Sequence, residues 1–193
     1  MMTLKSVCEV FEDGRSFSFW KDKPVEDLVL KSIYDKVKWG ATSANCSPIR
    51  VLFVKSTEQK EKLKSCLYDG NIEKTMTAPV TALFATDMKY YEKLDFLFPP
   101  VDAKPWFTQS EKDTFVHGLR NSSLQAAYFM TVARAYGLDC GPMSGYMEDK
   151  VNETFFGGTD LKINFMCNLG YGDSEKLHDR LPRFSFEEVC SFV

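Results

Sequence analysis

The stretch Trp39-Gly40-Ala41-Thr42-Ser43-Ala44-Asn45-Cys46-Ser47-Pro48-Ile49-Arg50 constrains this chain more than any other. A helical pattern enters it from Pro24, and an apolar, β-branched run, Val51-Leu52-Phe53-Val54, leaves it as an expected strand. Gly40 is placed to end the helix in a left-handed cap. Between the two elements lie small or polar residues with almost no bulk. A connection so stripped of side chain lets backbone N–H groups and short hydroxyls approach a flat polar molecule. An ordinary helix-to-strand link is the other reading that these residues allow.

At 193 residues the chain is expected to form one domain, residues 1–193, long enough to bury about 70% of its unfolded surface. A net charge of −3 gives no electrostatic case for nucleic acid or an acidic membrane. The Lys/Glu-rich run at 58–64 mixes signs and reads as a solvated helix face. Six cysteines contain no C-x-x-C pair, so zinc spacing is absent and no metal is expected. Glu9, Glu12 and Asp13 stand where a signal peptide would be basic, and no apolar run reaches bilayer length. Free thiols in a cytoplasmic protein are the expectation.

Thr3 is positioned to cap a first helix, with Leu4, Val7, Cys8 and Phe11 as its apolar stripe and Asp13-Gly14 as its stop. Pro24 opens the second, whose buried face is expected to be Val25, Leu28, Val29, Ile33 and Val37. Ser56 and Gln59 suggest a capping box for a helix to Leu67, and a short helical piece begins at Asp69. Val80–Ala85 reads as a buried strand. From Asp87 to Gln109 the pattern turns aromatic and proline-broken, as in excursions that cover a site, and Trp106 and Phe107 are candidates to roof it. Ser110 with Asp113 begins the longest helix, running to Tyr136 with Gly137 as stop; its small residues mark it as the central helix. Leu161–Leu169 alternates as a strand with one wetter face, and Ser185 with Glu188 is a second capping box.

No H-E-x-x-H, Walker loop, G-x-S-x-G elbow or G-x-G-x-x-G is present, and there are two histidines, His117 and His178. The residues around Cys46 offer no histidine or basic cluster to lower its pKa, so an inert small side chain is expected there. With neither a protein nucleophile nor a metal cluster, redox chemistry would fall to a bound cofactor.

Several segments carry a resemblance. Trp39, Thr42, Asn45 and Pro48 are in register with the W-x-P-S-x-x-N-x-Q-P loop of the FMN-dependent nitroreductase superfamily, with Ala41, Ser47 and Ile49 departing from it. Arg15-Ser16 matches part of the family's R-R-S-x-R segment, Ser18 standing where its last basic residue usually sits. Asn71 and Lys74 have the spacing of a pair that reaches the pyrimidine side of the flavin. Gly137, Pro142 and Gly145 fit a G-x-x-x-x-P-x-x-G-F segment, and His178-Asp179-Arg180-Leu181-Pro182 resembles the terminal basic-x-R-x-P. Lys38–Pro48, Arg120-Asn121-Ser122-Ser123 and Gly141-Pro142-Met143-Ser144-Gly145 are similar to one branch, the malonic semialdehyde reductases.

This resemblance implies an α+β nitroreductase-like fold: a mixed, mostly antiparallel sheet flanked by helices, in an intertwined homodimer. It implies FMN held by Arg15, Ser16, Ser18, Ala41, Thr42, Ser43, Asn45, Asn71, Lys74, Pro142, Met143, Ser144, Gly145, His178 and Arg180. The 41–48 loop would come from one subunit, and Arg15, Lys74 and Arg180 from the other. Lys74 would tune the flavin, NADH or NADPH would supply hydride, and the product from malonic semialdehyde would be 3-hydroxypropionate. Arg120 would meet the substrate carboxylate or pair with an acid near the dimer seam. A general nitroreductase or quinone reductase, or a non-catalytic flavin carrier, remains open beside this.

Overall fold

The computed structural model describes residues 4–193, so the Thr3 cap lies outside the described residues. The first helix, α1 (Val7–Phe11), is capped instead by Ser6, which exchanges bonds with Glu9. Its anticipated stripe faces outward: Leu4, Val7 and Phe11 are exposed, and Val10 is the buried residue. Helix α2 (Asp27–Val37) buries Leu30, Ile33 and Val37 but leaves Leu28 exposed. It starts after Pro24, because Glu26 holds the extended N-cap geometry.

Strand β1 (Ile49–Val54) follows the 41–48 loop. Helices α3 (Thr57–Lys64) and α4 (Asp69–Met76) lead into β2 (Val80–Asp87), buried along nearly its whole length. Ser56 accepts from Gln59 N as expected, but α3 ends at Lys64, short of Leu67. The aromatic excursion holds two short helical turns and α5 (Leu94–Leu97), without a strand. Helix α6 (Glu111–Ala135) begins at Ser110, whose side chain accepts from Asp113 N, and it stops before Gly137, at φ +81°. Strand β3 (Asp139–Met143) and β4 (Leu161–Gly170) flank α7 (Glu148–Phe156), a helix the sequence reading did not anticipate. A last short helix, α8 (Phe186–Val189), lies in an exposed C-terminal segment.

The strands form one sheet in the order β1-β2-β4-β3, and all three pairings are antiparallel. The parallel contact is a single isolated bridge, Ser16 to Cys140. Helices cover both faces. Val80, Ala82, Phe84 and Leu169 point into a core shared with α2 and α6, through Ile33, Phe129 and Ala133. Leu83, Ala85, Ile163 and Met166 point into a second core with α3 and α7, through Leu63, Val151 and Phe156. Strand β4 therefore lacks the wetter face its alternation suggested: Met166 and Asn168 are fully buried. Asn164 is the extra residue of a bulge, since Phe165 pairs with Phe84 and Ile163 with Ala85. Its amide bonds Ser122 and Ser123 of α6, at 3.1 and 2.9 Å.

The second core holds one buried cation. Lys60 on α3 is 4% exposed, and its Nζ donates to Thr75 O and Thr81 Oγ1, both at 2.7 Å. No carboxylate pairs with it among the described residues, and burial pushes its amine down from 10.5 to about 7. A lysine whose folded value is lowered holds fewer protons folded than unfolded above pH 7, so stability rises with pH there. From pH 7.0 to 8.5, below the usual tyrosine range, Lys60 should add about 1.5 kcal/mol. Urea unfolding at the two pH values measures this: the rise should be smaller in Lys60→Met by that amount. An identical rise in both proteins contradicts it.

Candidate functional site

Residues from the two ends of the chain meet beside β3. The Arg15 guanidinium donates to His178 O, and Arg180 donates to Glu12 O and, at 3.4 Å, to Gly14 O. Each arginine thus binds main chain next to the other. Arg134, at the end of α6, donates to Arg15 O at 3.1 Å, and its buried Nε has no partner. Phe17 N donates to Cys140 O at 3.0 Å, fastening the Arg15–Ser18 segment to β3. A Cβ at Gly141 would overlap Phe17 O, so this close approach requires glycine there. Ser16, Ser18, His178 and Arg180 are exposed, and Arg15 is half-buried. Among the described residues neither Arg15 nor Arg180 pairs with a carboxylate.

The far end of β3 gathers a second group. Asn71 Nδ2 donates to Gly145 O at 2.6 Å, and Tyr68 N to the same oxygen at 3.3 Å. A Cβ on Gly145 would displace the Asn71 amide. Lys74 is half-buried, and its carbonyl accepts from Trp20 Nε1 at 2.9 Å and Asn168 Nδ2 at 3.0 Å. Thr75 Oγ1 donates to Met143 Sδ at 3.7 Å, while Pro142 and Ser144 stay exposed. One edge strand therefore has Arg15 and Arg180 near one end and an amide–lysine pair at the other.

The 41–48 loop sits elsewhere, at the start of β1. Helix α6 shapes it: Asn121 Oδ1 accepts from Ser43 N at 2.8 Å, Gln125 Oε1 from Ile49 N at 3.0 Å, and Tyr128 OH donates to Ala41 O at 3.1 Å. Thr42 Oγ1 accepts from Ser47 N at 3.2 Å, and Asn45 Nδ2 donates to Leu97 O at 2.8 Å. Ala44, Asn45 and Ser47 take left-handed φ of 45, 51 and 38°. Such geometry in non-glycine residues costs of order 1 kcal/mol each, and it persists because these bonds over-determine the loop. Gly40 has no left-handed cap; it is glycine because a Cβ would overlap the Tyr128 ring. Cys46 is fully buried and its thiol is pushed up to about 11 by burial, so it is no nucleophile. Edges β1 and β3 are separated by β2 and β4, which at ordinary strand spacing is about 14 Å.

The three substrate candidates diverge. Phe107 is buried and packs on Tyr90 at a ring separation of 5.6 Å, so it belongs to the core of the aromatic excursion and does not roof a site within this chain. Trp106 is about half-exposed against Phe98. Arg120 is exposed on α6, in line with exposed Val116 and Leu124, and pairs with no acid among the described residues. Sequence reasoning missed Trp20, Arg134 and Asn168. Their one signal was a polar or bulky residue inside an otherwise small or apolar run. In the R-N-S-S segment, Asn121 is the residue that shapes the loop.

A four-stranded antiparallel sheet covered by helices on both faces is the α+β architecture of the nitroreductase-like fold. The chain belongs to the Nitroreductase family, whose model matches residues 15–171. Its fold is also that of an NAD(P)H:FMN oxidoreductase from Staphylococcus epidermidis, with TM-score 0.87, 21% identity, and 100% of this chain and 98% of that one covered. A nitroreductase of Exiguobacterium sibiricum in complex with FMN gives TM-score 0.86 at 18% identity, covering 99% of each chain. An enone reductase of gut-bacterial fatty acid saturation gives 0.84 at 17%, also over 99% of each. At these identities the likeness is one of fold.

Proposed function

We propose that the protein is an FMN-dependent NAD(P)H oxidoreductase whose substrate is malonic semialdehyde, reduced to 3-hydroxypropionate. The observation that carries the flavin reading is the meeting of Arg15 and Arg180 from the chain's two ends, with no carboxylate to neutralise either among the described residues. The residues fit FMN. Two guanidiniums, backed by Arg134 and flanked by the Ser16 and Ser18 hydroxyls, suit a phosphate and a polyol chain. They make up for the basic residue missing at Ser18. Asn71 and Lys74 suit the polar edge of the ring, where a lysine ammonium would stabilise negative charge on the reduced form. The bend at Gly145 leaves backbone free of side chain beside it. When bound, FMN would supply hydride transfer between nicotinamide and aldehyde. The neighbours described as an NAD(P)H:FMN oxidoreductase and as an FMN complex support this reading.

The dimer is part of the proposal. Within one chain the 41–48 loop and the β3 site stand at opposite sheet edges, so a second copy would be needed to bring Ala41, Thr42, Ser43 and Asn45 to the same flavin. Two features favour an intertwined pair. Phe184, Phe186, Val189 and Phe192 are exposed in the C-terminal segment, and a groove of about 810 Å³ lined by Leu30, Tyr34, Val51 and Phe53 runs between α2 and the open edge of β1. Substrate choice rests on the branch segments at Lys38–Pro48, Arg120–Ser123 and Gly141–Gly145, and on Arg120, an exposed cation without an acid partner among the described residues.

Arg15→Ala and Arg180→Ala should each weaken FMN by about ten- to a hundred-fold, the worth of one charged hydrogen bond of about 1.5–3 kcal/mol. Equilibrium dialysis reads this, and sedimentation of the same samples should show dimers; undiminished affinity in both variants, or a flavin-loaded monomer, contradicts the reading. Arg120→Met should lower kcat/KM for malonic semialdehyde by about ten-fold or more and leave quinone reduction nearly unchanged. Steady-state rates with both substrates check it, and a parallel fall in the two, with a lower Tm, would make Arg120 structural.

A further inference from the structure

Lys60 lies outside the site just described, yet a continuous polar chain joins it to Lys74. Its Nζ donates to Thr81 Oγ1 at 2.7 Å, and that hydroxyl donates to Asn168 Oδ1 at 2.6 Å. Asn168 Nδ2 donates to Lys74 O at 3.0 Å, the carbonyl that Trp20 also binds. The amine also reaches Thr75 O directly at 2.7 Å. Lys74 and Thr75 are in the last turn of α4, where helix carbonyls have no partner in the helix itself. Glu73 O is taken by Thr77 N at 3.0 Å and Thr77 Oγ1 at 2.8 Å, so donors from outside close the two carbonyls that follow. A cation beneath a helix C-terminus is favoured by the partial negative charge gathered there.

An apolar side chain would fill this part of the core at less cost than a buried amine. Nothing in packing calls for lysine; the Thr75 carbonyl and the Thr81 hydroxyl do. We propose that Lys60 is a positioning residue for the flavin site: it fixes the last turn of α4 and so the place from which Lys74 meets the flavin's polar edge. The proposal rests on the FMN reading of Lys74 above. Without the amine, Thr75 O and Thr81 Oγ1 lose their donor, Asn168 is free to turn, and the backbone that carries Lys74 loosens. Reduced flavin, the more negative form, would feel this more than oxidised flavin.

The test compares the holo-protein in four forms: wild type, Lys60→Met, Lys74→Met and the double variant. The readouts are the FMN dissociation constant, the flavin midpoint potential and the Tm. Lys60→Met should raise the constant for oxidised FMN by about five-fold. It should weaken the reduced form by about five-fold more, lowering the two-electron midpoint by about 20 mV. In the Lys74→Met background the same substitution should change neither by more than about two-fold, because the residue it acts through is gone. Equal effects in both backgrounds, or a lower Tm with affinity and potential unchanged, would overturn the proposal. An inert Lys74→Met would overturn the flavin assignment of Lys74 and the proposal with it. Thr81→Val, nearly isosteric, cuts the chain with Lys60 in place and serves should Lys60→Met not fold. Its midpoint must fall too, and an unchanged one counts against the proposal.

Discussion

Helix α6 crosses the sheet and bears on all four strands. At 25 residues it runs about 37 Å, the scale of a small domain. Its apolar face closes the first core through Ala126, Phe129 and Ala133. Its polar residues do something the core does not require. Asn121, Gln125 and Tyr128 hold the 41–48 loop, and Arg134, further along, holds the main chain of Arg15. In the proposed dimer, one rigid element thereby sets the loop that a chain lends to one flavin site and the arginine segment that it lends to the other. Residues on the same helix keep their spacing, so a shift at one site would be felt at the other.

This arrangement explains how three left-handed residues persist in a loop without glycine. Ala44, Asn45 and Ser47 are held by bonds from α6, from the loop's own Thr42 and from Leu97 O. Strain of that kind is found where backbone groups are presented to a ligand, and the cost is met by the packing around them. The β3 side uses a different device. Its geometry depends on close backbone approach at Gly141 and Gly145 and on carbonyls held by distant donors such as Trp20, Asn168 and Lys60.

Much of this was legible in the sequence. The strands at 80–85 and 161–169 and the long helix from Ser110 announced themselves by periodicity and caps. The Gly137 stop was readable because a left-handed helix cap favours glycine. Where the reading failed, tertiary context decided. Val7 and Phe11 obey a helical stripe but face outward, because Val10 is the residue that meets the body of the protein. Asn168 looked solvated, since alternation cannot reveal that α3 and α4 cover its face. Gly40 looked like a cap, and its reason is an aromatic ring 88 positions along. Motif residues Arg15, Asn71, Lys74, Gly145 and Arg180 were found in the sequence. The bonds that bring them together, from Arg15 to His178 and Asn71 to Gly145, span 163 and 74 positions and leave no local trace.

The proposed function requires a flavin that exchanges hydride with a nicotinamide and an aldehyde. An anaerobic absorbance titration of the purified, FMN-loaded protein tests this most directly. NADH or NADPH should bleach the visible flavin band in stoichiometric amount, and malonic semialdehyde should restore it faster than a quinone does. A flavin that neither nicotinamide bleaches would contradict the account.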